Sequence, residues 1–186
     1  MNGLLYAFIA CFLAGCGARD QVLVAALTDR LGPRLSLLAI ACFTGGLTCA
    51  LAAWAADDLA GVMNHRSRLL LASFALAAAG VESLLVSPGR RAKEPTRSLF
   101  AALLVLAISQ IVDASRFIVL AIALLHVPLS AALGGMLGGG AAIAIGWFGA
   151  GPLLAASTTL KLARRLAGAI LLLAGIVLAW TTLGEL

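Results

Sequence analysis

The sequence predicts an all-α integral membrane protein with six transmembrane helices, arranged as two inverted three-helix repeats. Its composition is the first reason: of 186 residues, 62% are hydrophobic and only 11% are charged, with a mean hydropathy of +1.08. Soluble domains are about half apolar and about a quarter charged. The second reason is a series of long apolar segments, and the third is a match between the two halves of the chain.

Six apolar segments are long enough to cross a bilayer, which takes about 20 residues per helix. The predicted spans are 3–28, 35–56, 67–87, 98–125, 129–150 and 163–183. They take up most of the chain and leave no room for a soluble domain. We therefore expect a first repeat over 1–88, a linker over 89–97 and a second repeat over 98–186.

An internal repeat appears when the chain is shifted against itself by 95 residues. The matched positions that carry most weight are Pro33 with Pro128, Gly45 with Gly140 and Gly80 with Gly175. Three spans per repeat is an odd number, so the second copy would enter the membrane from the opposite side. Inverted repeats of this kind are typical of secondary transporters, whose substrate site lies between the repeats.

The distribution of basic residues predicts the orientation. Nine Lys and Arg residues fall in the loops on one predicted side, and Arg66 and Arg68 fall on the other. Cytoplasmic loops carry the excess of positive charge, so we expect a cytoplasmic linker and periplasmic termini. The Ala-, Gly- and Arg-rich composition favours a bacterial inner membrane. The expected partners are the lipid bilayer and a transported ion, with a homodimer left open. Nucleic acid is not expected, because the basic residues do not share one soluble face.

Two polar clusters interrupt the apolar spans at matching points of the repeats. They are Arg19, Asp20 and Gln21 in the first span, and Gln110, Asp113, Ser115 and Arg116 in the fourth. Charges inside a membrane are costly and usually functional. The repeat symmetry predicts that the two clusters face each other as one central polar site.

Helical spacing places Asp113 and Arg116 on one face, three residues apart, where they could pair. A structural alternative is that Asp20, Asp113, Arg19 and Arg116 form a closed, neutral salt-bridge network that only holds the halves together. Glu82, near the end of the third span, is expected to snorkel to the interface or to pair with a linker arginine, Arg90 or Arg91.

The polar clusters also carry a family resemblance. The first span reads GCGARDQ at 15–21 and the fourth reads QIVDASR at 110–116. Together with the repeats, these segments resemble the calcium/manganese–proton exchangers of the Gcr-dependent translation factor family, which includes Golgi cation/proton antiporters and bacterial manganese exporters. That family carries Glu-x-Gly-Asp-Lys/Arg-Ser/Thr, often followed by Gln, in the first helix of each repeat. The resemblance covers nearly all of the chain, as a divergent member with degenerate motifs.

The departures from the family motif concern its acidic residues. Gly15 and Ala18 replace both acids of the first motif, and Gln110 replaces the Glu of the second. Asp113 remains in place, and Asp20 supplies a carboxylate from the hydroxyl position.

The resemblance implies a secondary transporter that exchanges Mn²⁺ or Ca²⁺ for protons. Asp113 would be the principal ligand and proton carrier, and the remaining oxygen ligands would be Asp20, Gln110, Gln21 and Ser115. Arg19 and Arg116 would act in charge pairing or gating. Two alternatives stay open: export of a small anionic or zwitterionic solute, and a degenerate, non-transporting membrane subunit. No enzymatic activity and no resident cofactor are expected, because no catalytic constellation occurs in a loop long enough to hold one.

Overall fold

The computed structural model describes residues 2–86, 99–155 and 157–184, and within these ranges every regular element is an α-helix. The helices are α1 (Asn2–Gly15), α2 (Arg19–Leu31), α3 (Leu35–Val62), α4 (His65–Leu85), α5 (Leu99–Ile111), α6 (Ala114–Leu125), α7 (Pro128–Phe148), α8 (Ala150–Ala155) and α9 (Ser157–Gly184). The predicted linker at 89–97, with its four basic residues, lies outside the described residues.

In the described part of the chain, four helices are long and apolar enough to cross a membrane by themselves: α3, α4, α7 and α9. Two further pairs pass the same test together, and each is bent at a short break. The bend is 56° between α1 and α2 and 53° between α5 and α6. If each bent pair is one span, the number of spans rises to six. The predicted all-α architecture is therefore confirmed over the described residues, and its long apolar helices are compatible with the predicted membrane class.

The first and fourth predicted spans, 3–28 and 98–125, are wrong as continuous helices. The first is interrupted between Gly15 and Arg19, where Gly17 has φ +78°, a conformation that glycine adopts without steric cost. The fourth is interrupted before Ala114, where the backbone of Asp113 is extended and its side chain caps α6. Mean hydropathy over a span-length window does not locate such breaks, because it averages over the apolar residues on both sides of them.

Two helices also extend beyond their predicted ends. Helix α3 continues from 56 to Val62 and carries Asp57 and Asp58 as exposed residues of its last turns. Helix α9 begins at Ser157 instead of 163, and its first turns expose Lys161 and Arg165. Charged side chains can lie at the end of a spanning helix when they reach the membrane–water interface.

Helices α4 and α9 pack closely and run antiparallel. A Cβ built on Gly80 would lie 2.6 Å from Leu172 N and 2.7 Å from Gly168 O. A Cβ on Gly175 would lie 2.7 Å from both Ala77 N and Ser73 O. Helices approach this closely in membranes where small residues face each other.

Helix α6 lies near the centre of the bundle, in contact with α1, α3, α4 and α7. Eight of its twelve residues are buried, including Ser115 and Arg116 in its first turn. Helix α1 runs parallel to α7, with Gly134 against Leu4 and Gly138 against Phe8. This packing places both helix breaks inside the bundle.

Candidate functional site

The two helix breaks create the polar centre of the protein. Helix α2 begins at Arg19 and α6 begins at Ala114, which are 95 residues apart, as the internal repeat requires. A helix that starts inside a protein leaves unpaired N–H groups and a partial positive charge at its first turn. Each of the two breaks therefore requires acceptor side chains nearby.

A buried aspartate supplies such an acceptor at each break. The Oδ1 of Asp20 accepts from Gln21 N at 2.8 Å, and the Oδ2 of Asp113 accepts from Ser115 N at 3.2 Å. Asp20 is 6% exposed and Asp113 is 3% exposed. Both carboxylates thus lie inside the bundle at the positive ends of α2 and α6.

Gln110 connects the two breaks. This fully buried residue on α5 donates from Nε2 to Asp20 Oδ2 at 3.5 Å and to Ala41 O of α3 at 3.2 Å. The first contact joins residues 90 positions apart and brings the two predicted clusters together.

Arg116 holds the second break against α3. Its Nε donates to Thr48 Oγ1 at 2.8 Å, its Nη2 donates to Gly45 O at 3.4 Å, and its Nη1 lies 3.6 Å from Asp113 Oδ2. The side chain is almost completely buried. The structure therefore contains the ion pair between Asp113 and Arg116 expected from their spacing.

A second buried arginine, Arg164 of α9, was not anticipated as part of the site. It is 1% exposed, and its Nη2 lies 2.5 Å from Glu82 Oε2 and 3.8 Å from Asp113 Oδ1. Its Nη1 donates to Ala14 O, near the end of α1, at 3.4 Å. Arg164 thus joins α4, the second break and α1.

Glu82 does not snorkel outward to the interface: it pairs with a residue of α9 that the sequence reasoning did not name as its partner. Its side chain is 9% exposed and pairs with Arg164, although Arg90 and Arg91 themselves lie outside the described residues. Arg164 is one of the nine basic residues counted on the predicted cytoplasmic side, yet it falls one residue inside the predicted span 163–183. The sequence does contain a signal for this pair. Glu82 lies within one predicted span and Arg164 within another, and charged side chains inside a membrane need a partner of opposite charge.

The other predicted site residues have different positions. The side-chain amide of Gln21 binds the first break to α7. Its Oε1 accepts from Gly17 N at 2.7 Å, and its Nε2 donates to Ala142 O of α7 at 2.7 Å. Ser115 is buried, and its carbonyl accepts from the Cys11 thiol at 3.5 Å. Arg19 is exposed, and it lies close enough to Glu82 to interact with it electrostatically. The polar centre is therefore made by four of the predicted residues, with Glu82 and Arg164 added. The four are Asp20, Gln110, Asp113 and Arg116.

Several buried polar atoms in this centre have no hydrogen-bond partner among the described residues. They are Oε1 of Gln110, Oδ1 of Asp113 and Nε of Arg164. Buried polar atoms are nearly always paired, so an unpaired one invites a functional explanation. In the described ranges, no three His, Cys, Asp or Glu side chains group as a metal site, so any bound cation would also need amide or hydroxyl oxygens.

Comparison with protein-family models, with curated protein sequences and with solved structures finds no match for this chain. The resemblance to the cation–proton exchangers therefore stays a prediction, and the structure shows an α-helical chain suited to a membrane, with a buried polar centre between two broken helices.

Proposed function

We propose that the chain is a secondary transporter with six spans in two inverted repeats, 1–88 and 98–186, and a central site between them. Two broken helices that meet inside a bundle are the arrangement in which many transporters hold their substrate. Here the breaks are 95 residues apart and are joined by the contact of Gln110 with Asp20.

The contacts between α4 and α9 support the inverted repeat. Gly80 meets positions 168 and 172, and Gly175 meets positions 73 and 77. The two contacts correspond under the repeat. Gly80 and Gly175 are 95 residues apart, and so are positions 73 and 168 and positions 77 and 172. Reciprocal contacts of this kind are the property of a two-fold axis. Because the helices are antiparallel, that axis would lie in the membrane plane.

For the cargo, we infer a divalent cation, Mn²⁺ or Ca²⁺, in exchange for protons. One observation carries this inference: the oxygens left unpaired in the centre, Gln110 Oε1 and Asp113 Oδ1, belong to two of the predicted ligands. Both ions prefer hard oxygen ligands. Among the groups of the centre, the carboxylates of Asp20, Asp113 and Glu82 outnumber the buried guanidinium groups of Arg116 and Arg164, while the exposed Arg19 acts on Glu82 from the surface. A cation or a proton would offset this local excess of carboxylates.

In this mechanism Asp113 is the residue that exchanges its partners. Its Oδ2 holds the start of α6 and lies near Arg116, while Oδ1 faces Arg164 at a distance too long for a hydrogen bond. A cation on Oδ1 would take the place of this long ion pair, and a proton would neutralise the same carboxylate after release. One carboxylate therefore links cation movement to proton movement.

The test is metal flux by purified protein in proteoliposomes with an imposed pH gradient, comparing Mn²⁺ with Ca²⁺. The key variant is Asp113→Asn, which keeps a side chain able to cap α6 but removes the charge. We expect gradient-driven flux in the wild type and its loss in this variant. Asp57→Asn, at an exposed aspartate of α3, is the matched control and should transport normally. Flux that survives Asp113→Asn would refute the assignment.

A second candidate cargo is a small anionic or zwitterionic solute. It is favoured by the two buried guanidinium groups and by the unpaired Nε of Arg164, which is a donor free to bind a carboxylate. Amino acids or small carboxylates that inhibit metal flux, or that move in its absence, would support this cargo. If no solute moves, the non-transporting subunit remains, and replacing Asp113 and Arg116 together by neutral residues would then change stability alone.

The proposed location is the bacterial inner membrane, with both termini periplasmic and the segment between α4 and α5 cytoplasmic. The support is the charge distribution in the sequence. The exposed side chains of the described spans are largely apolar, as lipid contact requires, and a homodimer is compatible with them. Labelling of single cysteines at 2 and at 90 from opposite sides of the membrane tests the orientation.

A further inference from the structure

The Glu82–Arg164 ion pair lies at one end of the bundle. Glu82 is in the last turn of α4, and Arg164 is in the second turn of α9, which runs antiparallel to α4. We call this end the linker side, because α4 ends there and the segment 87–98 follows. Arg164 is buried and the side chain of Glu82 is 9% exposed, and the Nη2–Oε2 distance between them is 2.5 Å.

The same guanidinium group also touches the polar centre. Its Nη2 is shared between Glu82 and Asp113, at 2.5 Å and 3.8 Å, and its Nη1 bonds to the carbonyl of Ala14. Arg164 therefore lies between the central carboxylate and the linker side. A solute that leaves Asp113 toward this side has to pass Arg164 or displace it.

We propose that the Glu82–Arg164 pair is the gate that closes the central site toward the linker side, and that Arg164 senses the occupancy of the site through Asp113. This inference rests on the proposed transport function. When a cation or a proton occupies Asp113, the long contact to Arg164 weakens. Arg164 then depends on Glu82 and the Ala14 carbonyl alone, and the gate opens more readily.

The ion pair is not repeated at the symmetry-related positions. In the register of the 95-residue repeat, Arg164 corresponds to Leu69 and Glu82 corresponds to Val177. Two aliphatic side chains cannot form an ion pair, so the opposite end of the bundle has no charged equivalent at these positions. We therefore expect the loss of Arg164 to open the protein toward the linker side and not toward the other.

A native cysteine reports on this opening without any transport. Cys11 is completely buried, and its thiol donates to the carbonyl of Ser115 beside the polar centre. In a variant that retains this thiol and has Ala in place of Cys16, Cys42 and Cys49, a membrane-impermeant maleimide is added to vesicles of each orientation. The labelling rate follows the population of the open state.

The informative variant is Arg164→Gln, and Arg165→Gln is its control, because Arg165 is exposed on the next position of the same helix. For Arg164→Gln we expect labelling of Cys11 to rise by about tenfold or more from the linker side alone, since a lost buried ion pair shifts the equilibrium by at least that factor. Arg165→Gln should label like the parent.

Two results for Arg164→Gln would overturn the gate. Labelling of Cys11 at the parent rate would mean that the protein does not open, and an equal rise from both sides would mean that the whole structure is loosened. If Arg164→Gln does not fold, Arg164→Lys is measured instead. Lysine keeps the charge beside Glu82 but lacks the planar fork that also reaches Asp113 and Ala14. An intermediate rate from the linker side supports the gate, and an unchanged rate refutes it.

Flux measurements separate this inference from the proposed function. If one-sided labelling occurs but no metal moves, the gate stands and the cargo is wrong. If metal flux is normal in the parent and in Arg164→Gln, and labelling is unchanged, transport stands and the gate is wrong.

Discussion

The contact between α4 and α9 allows a quantitative test of the repeat, by adding one methyl group at Gly80. The new Cβ would lie 2.6 Å from Leu172 N, 2.7 Å from Gly168 O and 2.8 Å from Leu172 Cα. All three are backbone atoms, which cannot rotate away as a side chain does. The two helices must therefore move apart by about 1 Å before ordinary contact is restored.

The expected cost follows from two opposing effects. Overpacking costs about 1–3 kcal/mol, and rigid backbone neighbours put Gly80→Ala near the upper end of that range. Alanine also stabilises a helix interior by about 1 kcal/mol relative to glycine. We therefore expect a net loss of about 2 kcal/mol in the free energy of unfolding. Gly175→Ala should lose the same amount, because its Cβ meets the corresponding atoms of Ala77 and Ser73.

The double variant is the most informative measurement. If one separation of α4 from α9 accommodates both methyl groups, the loss for Gly80→Ala with Gly175→Ala is clearly smaller than the sum of the two single losses. Gly139→Ala, where a Cβ has no atom within 4 Å, is the control and should be neutral or stabilising. The assay is unfolding in detergent, followed by circular dichroism.

Two results would contradict this reasoning. If Gly80→Ala is as stable as Gly139→Ala, the close approach of α4 and α9 is wrong. If Gly80→Ala and Gly175→Ala differ by more than about 1 kcal/mol, the contacts are not equivalent and the two-fold relation loses its support.

Three further predictions concern the two breaks, each measured by the same unfolding assay. Gln21→Leu leaves the amide N–H of Gly17 and a carbonyl of α7 without their side-chain partner and should cost about 2 kcal/mol; unchanged stability would mean that water replaces the amide. Gly17→Ala should cost about 1–2 kcal/mol, because φ is +78° there, and a neutral result would place the break elsewhere. Thr48→Val removes the acceptor of Arg116 Nε and should cost about 1–3 kcal/mol. Thr44→Val is the control and should cost less, because the Thr44 hydroxyl bonds to carbonyls of its own helix. Equal losses would refute the role of Arg116 in holding α6 against α3.

The membrane class and the offset of 95 residues could be predicted from the sequence because both are properties of local composition and spacing. Hydropathy depends only on which residues are neighbours in the chain, and a repeat is visible by alignment alone. The same offset predicted that the two polar clusters face each other, and in the structure Asp20 of the first contacts Gln110 of the second. The number of spans and the inverted arrangement remain predictions, supported by the reciprocal glycine contacts.

Only the tertiary structure decided how the polar residues are used. The two bends turn Arg19 outward and Gln21 toward α7, because a side chain's direction after a break depends on the angle of the new helix and not on sequence spacing. The pairing of Glu82 with Arg164 joins residues 82 positions apart on two different helices. Such a pair forms because a buried charge is costly without a counter-charge, but which two charges meet depends on how the helices pack.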